Sequence, residues 1–281
     1  MKFNEDLDAV PIDDITPVKL YDQIKSSPVH KVVGVSKRSL LNINWDTREK
    51  LKKGEIVVTP DQKKTLSNQK HQYTKVVTTK DGHVAVGDIN GSVSLYSNPN
   101  DKWKQAKTKL AQLADPVIGI DVSAKGDWVV WTTKEYIAVA NVEWKDEGLL
   151  YSGFEKAMPT KQRKPALILK LTEEEKQRWN IKEVNFTPAC FDNGTILDND
   201  LITEELIATS TGKYTIYWKM RHVSLDFNKG RYEMTPECTR KAVFKEHKKD
   251  VVVQKFEYKT NTSSDKLVAA LSDDLERFSL N

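Results

Sequence analysis

The chain has 281 residues, room for one large domain or two small ones, and its 38% hydrophobic and 30% charged content makes it polar for a globular protein. Seven Trp, nine Tyr and eight Phe exclude general disorder. A net charge of +4, with both signs spread along the chain, is a weak hint of nucleic-acid or membrane attraction and not evidence for it, since salt-sensitive nucleic-acid binding rests on a clustered basic face.

Residues 1–27 read as an N-terminal extension, a candidate part of a first incomplete blade, and residues 28–281 as one domain. Met1 to Asp14 is acidic without an apolar h-region, so no signal peptide is expected. The apolar runs fall far short of the roughly 20 residues a membrane helix needs, so no membrane insertion is expected. A repeating unit starts near Val32: an apolar strand, a polar turn, and Leu40 to Ile43 as a second strand. Its clearest copy runs from Lys80 to Ser97. Asp81-Gly82 and Asn90-Gly91 are turn dipeptides that accept positive φ; Val84 and Val86, then Val93 and Leu95, alternate with period two. Lys102 to Leu113 reads as a short helix or an irregular link. The next copy spans Ser123 to Ala140, turning at Gly126-Asp127 before Trp128.

An insertion follows at about 145–180. It carries the basic loop Thr160 to Lys164 and a short helix, Glu173 to Trp179. Thr172 can cap that helix, and Glu175, three residues on, can reach back to complete a capping box. The segment from Thr160 to Trp179 reads as removable without loss of the fold. A further copy spans Glu205 to Trp218, turning at Gly212, and the last lies at Lys266 to Ser272. Copies start about 40–45 residues apart, the spacing of a four-stranded propeller blade. Long hairpins without intervening amphipathic helices exclude doubly wound α/β folds, and a sandwich would turn every 8–12 residues or so. The expected fold is an all-β, WD40-like β-propeller of about five blade units with a short helical insertion. Five units leave three arrangements open: a small closed ring, an open arc completed by a partner, and a fragment of a larger gene.

The run Asp115-Pro116-Val117-Ile118-Gly119-Ile120-Asp121-Val122, followed by a turn and the strand at Trp128, resembles the C-terminal WD40-like propeller domain of the vacuolar import and degradation (Vid twenty-seven) family. Three further segments match that family in the same order: Val84 to Tyr96, Asn185-Phe186-Thr187-Pro188-Ala189 and Ala208-Thr209-Ser210-Thr211-Gly212. The resemblance implies a propeller fold and a role linked to protein delivery for degradation. Members of that family are much longer and include an N-terminal region that this sequence lacks.

Residues that invite a chemical reading have simpler structural ones. Asp81, Asp88 and Asp127 are turn residues; Asp115 precedes Pro116 at a loop end; Asp121 sits on an inner strand where its carboxylate can bond turn amides. Thr209-Ser210-Thr211-Gly212 reads as a hairpin turn with hydroxyl partners. Gly82, Gly91, Gly119, Gly126, Gly212 and Trp128 complete the structural set. Five scattered histidines, and Cys190 and Cys238 outside any CxxC, point to no metal site and no cofactor. The cysteines read as reduced residues of a cytoplasmic protein, with the nucleus as the alternative location. No nucleophile or phosphate-binding motif is present, so no enzyme is expected. Partner-binding candidates are Trp103, Lys161, Arg163, Lys164, Arg178 and Trp179. The expected role is a protein-interaction scaffold; the alternative is an RNA-associated or assembly subunit that uses its basic loops.

Overall fold

Alternating apolar strands joined by tight turns build antiparallel meanders, and each meander becomes one sheet. The structure, a computed structural model, describes residues 12–18, 31–36, 39–44, 55–58, 72–98, 105–110, 113–192, 195–197, 201–203, 205–229, 241–254, 267–271 and 275–278. The first sheet holds β1 (Asp14–Pro17), β2 (Lys31–Ser36), β3 (Ser39–Asn44) and β4 (Glu55–Val58), in that order. The second holds β5 (Tyr73–Thr78), β6 (Val84–Asp88), β7 (Val93–Tyr96) and β8 (Thr108–Lys109). The third begins with β9 (Gly119–Val122), β10 (Trp128–Thr132) and β11 (Ile137–Asn141). A separate hairpin, β12 (Glu143–Asp146) with β13 (Leu149–Ser152), intervenes before β14 (Leu167–Leu169) returns to pair with β11.

Helix α1 (Glu173–Arg178) leads to β15 (Cys190–Phe191). The hairpin of β16 (Thr195–Leu197) with β17 (Leu201–Thr203) follows. The fourth sheet continues through β18 (Leu206–Thr211) and β19 (Tyr214–Lys219). Helix α2 (Met220–Lys229) precedes its last strand, β20 (Val243–Glu246). β21 (Val251–Gln254), β22 (Leu267–Leu271) and β23 (Leu275–Phe278) make a three-stranded fifth sheet.

The chain divides into two compact units. The first takes residues 1–117 and 142–159, hence the first two sheets and the β12–β13 hairpin. Its core gathers Val33, Val35, Leu40, Val76, Val84, Val86 and Tyr96. The second takes residues 118–141 and 160–281 and buries Trp131, Ile137, Leu167, Leu169, Phe191, Ile207 and Ile216. Each such aliphatic side chain contributes about 1.5–3 kcal/mol on burial.

Within each unit, polar side chains on the strands bind the backbone of the next sheet. In the first unit Asp14 Oδ2 accepts from Val76 N–H at 2.9 Å, and Thr78 Oγ1 donates to Pro17 O at 2.6 Å. In the second, Asp121 Oδ2 accepts from Phe191 N–H at 2.9 Å, and Thr132 Oγ1 accepts from Ala189 N–H at 2.8 Å. Ser210 Oγ donates to Val251 O of the fifth sheet at 2.6 Å, while within the fourth sheet Thr209 Oγ1 donates to Thr187 O at 2.6 Å and Thr187 and Ser210 share a hydroxyl contact at 2.8 Å. A neutral protein hydrogen bond stabilises by about 0.5–1.5 kcal/mol, and a buried group left without one costs about 1–3 kcal/mol.

Several expectations need correction. Asp121 bonds the backbone of the neighbouring sheet, at Phe191 N–H. Thr209, Ser210 and Thr211 end strand β18, and the turn proper is Gly212-Lys213. The 102–113 stretch contains β8, not a helix, in its described residues; it forms because Thr108 and Lys109 pair with Leu95 and Ser94. Thr160–Trp179 is no removable insertion, since it carries β14 with Leu167 and Leu169 fully buried. Helix α2 went unforeseen. Met220, Val223 and Phe227 recur at helical spacing and are buried, and Phe227 and Trp128 make an edge-to-face contact with ring centroids 5.2 Å apart.

The turns carry the left-handed geometry the dipeptides require, with φ of +78° at Gly82, +75° at Gly91, +75° at Gly126 and +51° at Gly212. At Gly91 a side chain is excluded twice: a Cβ would lie 2.7 Å from Asp115 O. That contact places Asp115-Pro116 in an exposed loop over the β6–β7 turn, with Ala114 N–H on Asn90 O at 3.1 Å. Asp88 closes the same turn, its Oδ1 accepting from Asn90 and Ser92 N–H at 2.9 Å each.

Gly119 has a different reason. A Cβ there would stand 2.6 Å from Pro188 Cβ and 2.7 Å from its Cα. Gly119→Ala should therefore cost about 1–3 kcal/mol. Urea denaturation is the check: a lower midpoint at unchanged slope is expected, and an unchanged midpoint would show that the close approach is not required.

Candidate functional site

The site grows from the local chemistry of one short helix. Thr172 caps α1 from an extended conformation, its Oγ1 accepting from Glu175 N–H at 3.2 Å while Glu175 Oε2 accepts from Thr172 N–H at 2.9 Å. This is the capping box read from the sequence. At the other end Asn180 adopts φ +51°. Its N–H donates to Gln177 O at 3.2 Å, and Ile181 N–H donates to Lys176 O at 2.8 Å. These two bonds form a Schellman stop, which only a residue tolerant of the left-handed region can make. Helix start and helix stop together set where Trp179 sits.

Glu175 has a second function that its local role does not disclose. Its Oε1 accepts from Ala242 N–H at 3.0 Å, just before β20, and the side chain is buried. Glu174 pairs with Lys241 at 3.1 Å on the same approach. Helix and strand are thus tied side by side, and a groove of about 340 Å³ lies between them. Glu174, Glu175, Arg178, Trp179, Lys241 and the Ala242–Phe244 segment line it.

Aromatic packing makes its floor. The Trp179 ring stacks on Phe244 at 5.0 Å and meets Tyr214 edge-on at 5.6 Å, and Tyr214 Oη donates to Trp179 O at 2.9 Å. Pairs of this kind contribute about 0.5–1.5 kcal/mol beyond burial. The exposed Arg178 lies 5.7 Å from the Trp179 ring centroid, and Val243 stays 38% exposed beside it. Arg178 makes no ion pair with a described residue, whereas Glu174 and Lys241 engage each other.

The predicted partner residues separate. Arg178 and Trp179 come together in the groove. Lys161 is exposed on a 3-10 turn, Thr160–Gln162. Lys164 is half-buried against α2: its Nζ donates to Asn228 O at 3.2 Å and lies 5.5 Å from the Phe227 ring. Arg163, beside it, is also half-buried. The basic loop is therefore partly structural. Trp103 lies outside the described residues, as does Cys238; Cys190 is a buried thiol. Sequence reasoning missed Val243 and Phe244, since four residues of β20 carry no periodic signal, and only long-range contacts, Glu175 on Ala242, Glu174 with Lys241 and Trp179 on Phe244, place them beside α1. Among the described residues no helix is long and apolar enough to cross a membrane, and no group of three or more His, Cys, Asp or Glu gathers to hold a metal ion.

Meandering four-stranded sheets with a groove at one outer strand define a WD40-like β-propeller protein. Solved structures of the same architecture include the β-propeller domain of Myceliophteria thermophila Cps50 (Swd1), with a TM-score of 0.62 at 12% identity over 97% of this chain and 72% of that one. The WD40 propeller of Doa1 gives a TM-score of 0.51 at 11% identity, covering 96% of this chain and 66% of its own. The model of the VID27 C-terminal WD40-like domain matches residues 4–280, and the chain belongs to that family. It is 27% identical to Vacuolar import and degradation protein 27 of Saccharomyces cerevisiae over 92% of this chain, and 27% identical to the Schizosaccharomyces pombe protein of the same name over 95%. The chain spans 30% of the length of either relative.

Glu175→Ala should remove the carboxylate half of the capping box and the Ala242 acceptor while leaving the Thr172 hydroxyl on the backbone of residue 175, costing about 1–3 kcal/mol. Hydrogen exchange provides the readout: the Ala242 amide should lose protection along with the amides of α1, whereas Thr172→Ala should affect α1 alone. Equal effects of the two variants at Ala242 would show that the helix–strand tie does not run through Glu175.

Proposed function

We propose that this chain is a non-enzymatic protein-interaction scaffold whose partner-binding surface is the groove between α1 and β20. The observation that carries this reading is the combination of Trp179, Phe244 and Val243 with Arg178 on one accessible surface. Aromatic residues and arginine are the residue types that dominate binding energy at protein interfaces. Membership of a WD40-like family supports a binding role, because propellers present loops and edges on a rigid frame. The names of the two yeast relatives connect the family to vacuolar import and degradation, and a scaffold that holds a protein for such delivery fits the groove. The domain takes in residues 28–281 together with β1, which lies within residues 1–27 and pairs with β2.

The test uses Arg178→Glu with Val243→Glu, two exposed positions outside the packed floor. Proteins captured from a cell lysate by this variant, by wild type and by Leu150→Ser on the β12–β13 hairpin are quantified side by side. The groove variant should lose specific partners by about tenfold or more, while Leu150→Ser retains them. Identical partner sets for all three proteins would overturn the assignment.

A further inference from the structure

We propose that β20 receives an extended segment of a partner protein as an added strand, with an apolar side chain over Trp179 and Phe244 and an acidic side chain on Arg178. The inference rests on the reading of the groove as the partner surface and specifies what enters it.

Three observations carry it. The first is the phase of the strand. His247 N–H donates to Lys213 O at 2.9 Å, and residues 243–246 pair with 217–214 of β19. Inward and outward peptide groups alternate along an antiparallel pair. Residues 243, 245 and 247 therefore face β19, and the N–H and C=O groups of 242, 244 and 246 point away from it. The Ala242 N–H obeys that phase, since it reaches Glu175 instead of β19. β20 is the last strand of its sheet, and no described strand pairs with its outer side. Phe244 and Glu246 thus offer the hydrogen-bonding row that strand addition uses.

The second observation is the side-chain face. Phe244 stacks on Trp179, so a residue opposite Phe244 on an added strand projects over the same aromatic floor. The groove of about 340 Å³ gives that side chain a place. The Glu175–Ala242 bond blocks the row at its N-terminal end and so sets a register. The third is charge. Of the ionic groups lining the groove, Glu174 and Lys241 pair with each other and Glu175 is engaged in the cap and at Ala242. Arg178 is left as the group that selects, and a guanidinium beside an aromatic ring selects a carboxylate.

The experiment uses the full chain and fluorescently labelled short peptides rich in Thr and Val, each with a central Leu or Phe flanked by Glu, followed by anisotropy. Matched peptides carry Lys in place of Glu, or N-methyl groups on alternate backbone amides, which remove strand hydrogen bonds and keep every side chain. Glu246→Pro removes one outward N–H of β20 and leaves the β19 ladder in place, a position where an edge strand tolerates proline. The acidic peptide should bind, and N-methylation, Glu246→Pro and Arg178→Glu should each weaken it by about tenfold; the Lys peptide should bind Arg178→Glu better than wild type. Circular dichroism checks that each variant is folded. Binding indifferent to N-methylation and Glu246→Pro but lost in Arg178→Glu would overturn strand addition while leaving the groove as a partner site. Binding indifferent to Arg178→Glu and Val243→Glu would overturn both. No binding by any acidic peptide would overturn the inference.

Discussion

The structure depends on hydrogen bonds that run from side chains of one sheet to the backbone of the next. A first strand that lies beside another first strand is buried, and its N–H and C=O groups cannot turn to water. Asp14 answers this for Val76, and Asp121 answers it for Phe191. Thr132 and Ser210 continue the series in the second unit, at Ala189 and Val251. Asp121 and Ser210 are among the residues that invite a chemical reading in the linear sequence. The partners of Asp14, Asp121, Thr132 and Ser210 in this series are backbone groups, and these bonds join sheets that share no strand pairing.

That seam also explains why separate segments of the family resemblance occur together. Gly119 of the Asp-Pro run lies under Pro188 of the Asn-Phe-Thr-Pro segment. Thr187 of the same segment meets Ser210 of the Thr-Ser-Thr-Gly stretch. Segments about 20 to 70 residues apart in sequence are one contact surface in space. A residue that must be Gly at one end constrains which ring can stand at the other, and this is a physical reason for the three to be found as a set.

The candidate site lies apart from these bonds, between a short helix and the last strand of the fourth sheet. Helix α1 is only six residues long and would not persist alone in water. It is held by its cap, by the Schellman stop at Asn180 and by Glu175 on Ala242. The same three contacts aim Trp179 at Phe244 and leave Arg178 at the rim. Rigidity of this kind suits a binding surface, because little side-chain freedom remains to be lost when a partner arrives.

The period-two hairpins, the Asp-Gly and Asn-Gly turns, the spacing of the repeat and the capping box of α1 were all legible in the linear chain. Each depends on residues within a few positions of one another, where local sterics and hydrogen bonding settle the conformation. The all-β, WD40-like class followed from them. The tertiary structure alone decided that Asp121 serves Phe191, that Thr108 and Lys109 are an outer strand and that Lys164 lies against α2. It alone decided that Glu175 joins α1 to β20. Those contacts span from 13 to 70 residues of chain. No local pattern encodes them, because a carboxylate or a short β-strand becomes specific only when folding brings an unpaired backbone group within its reach.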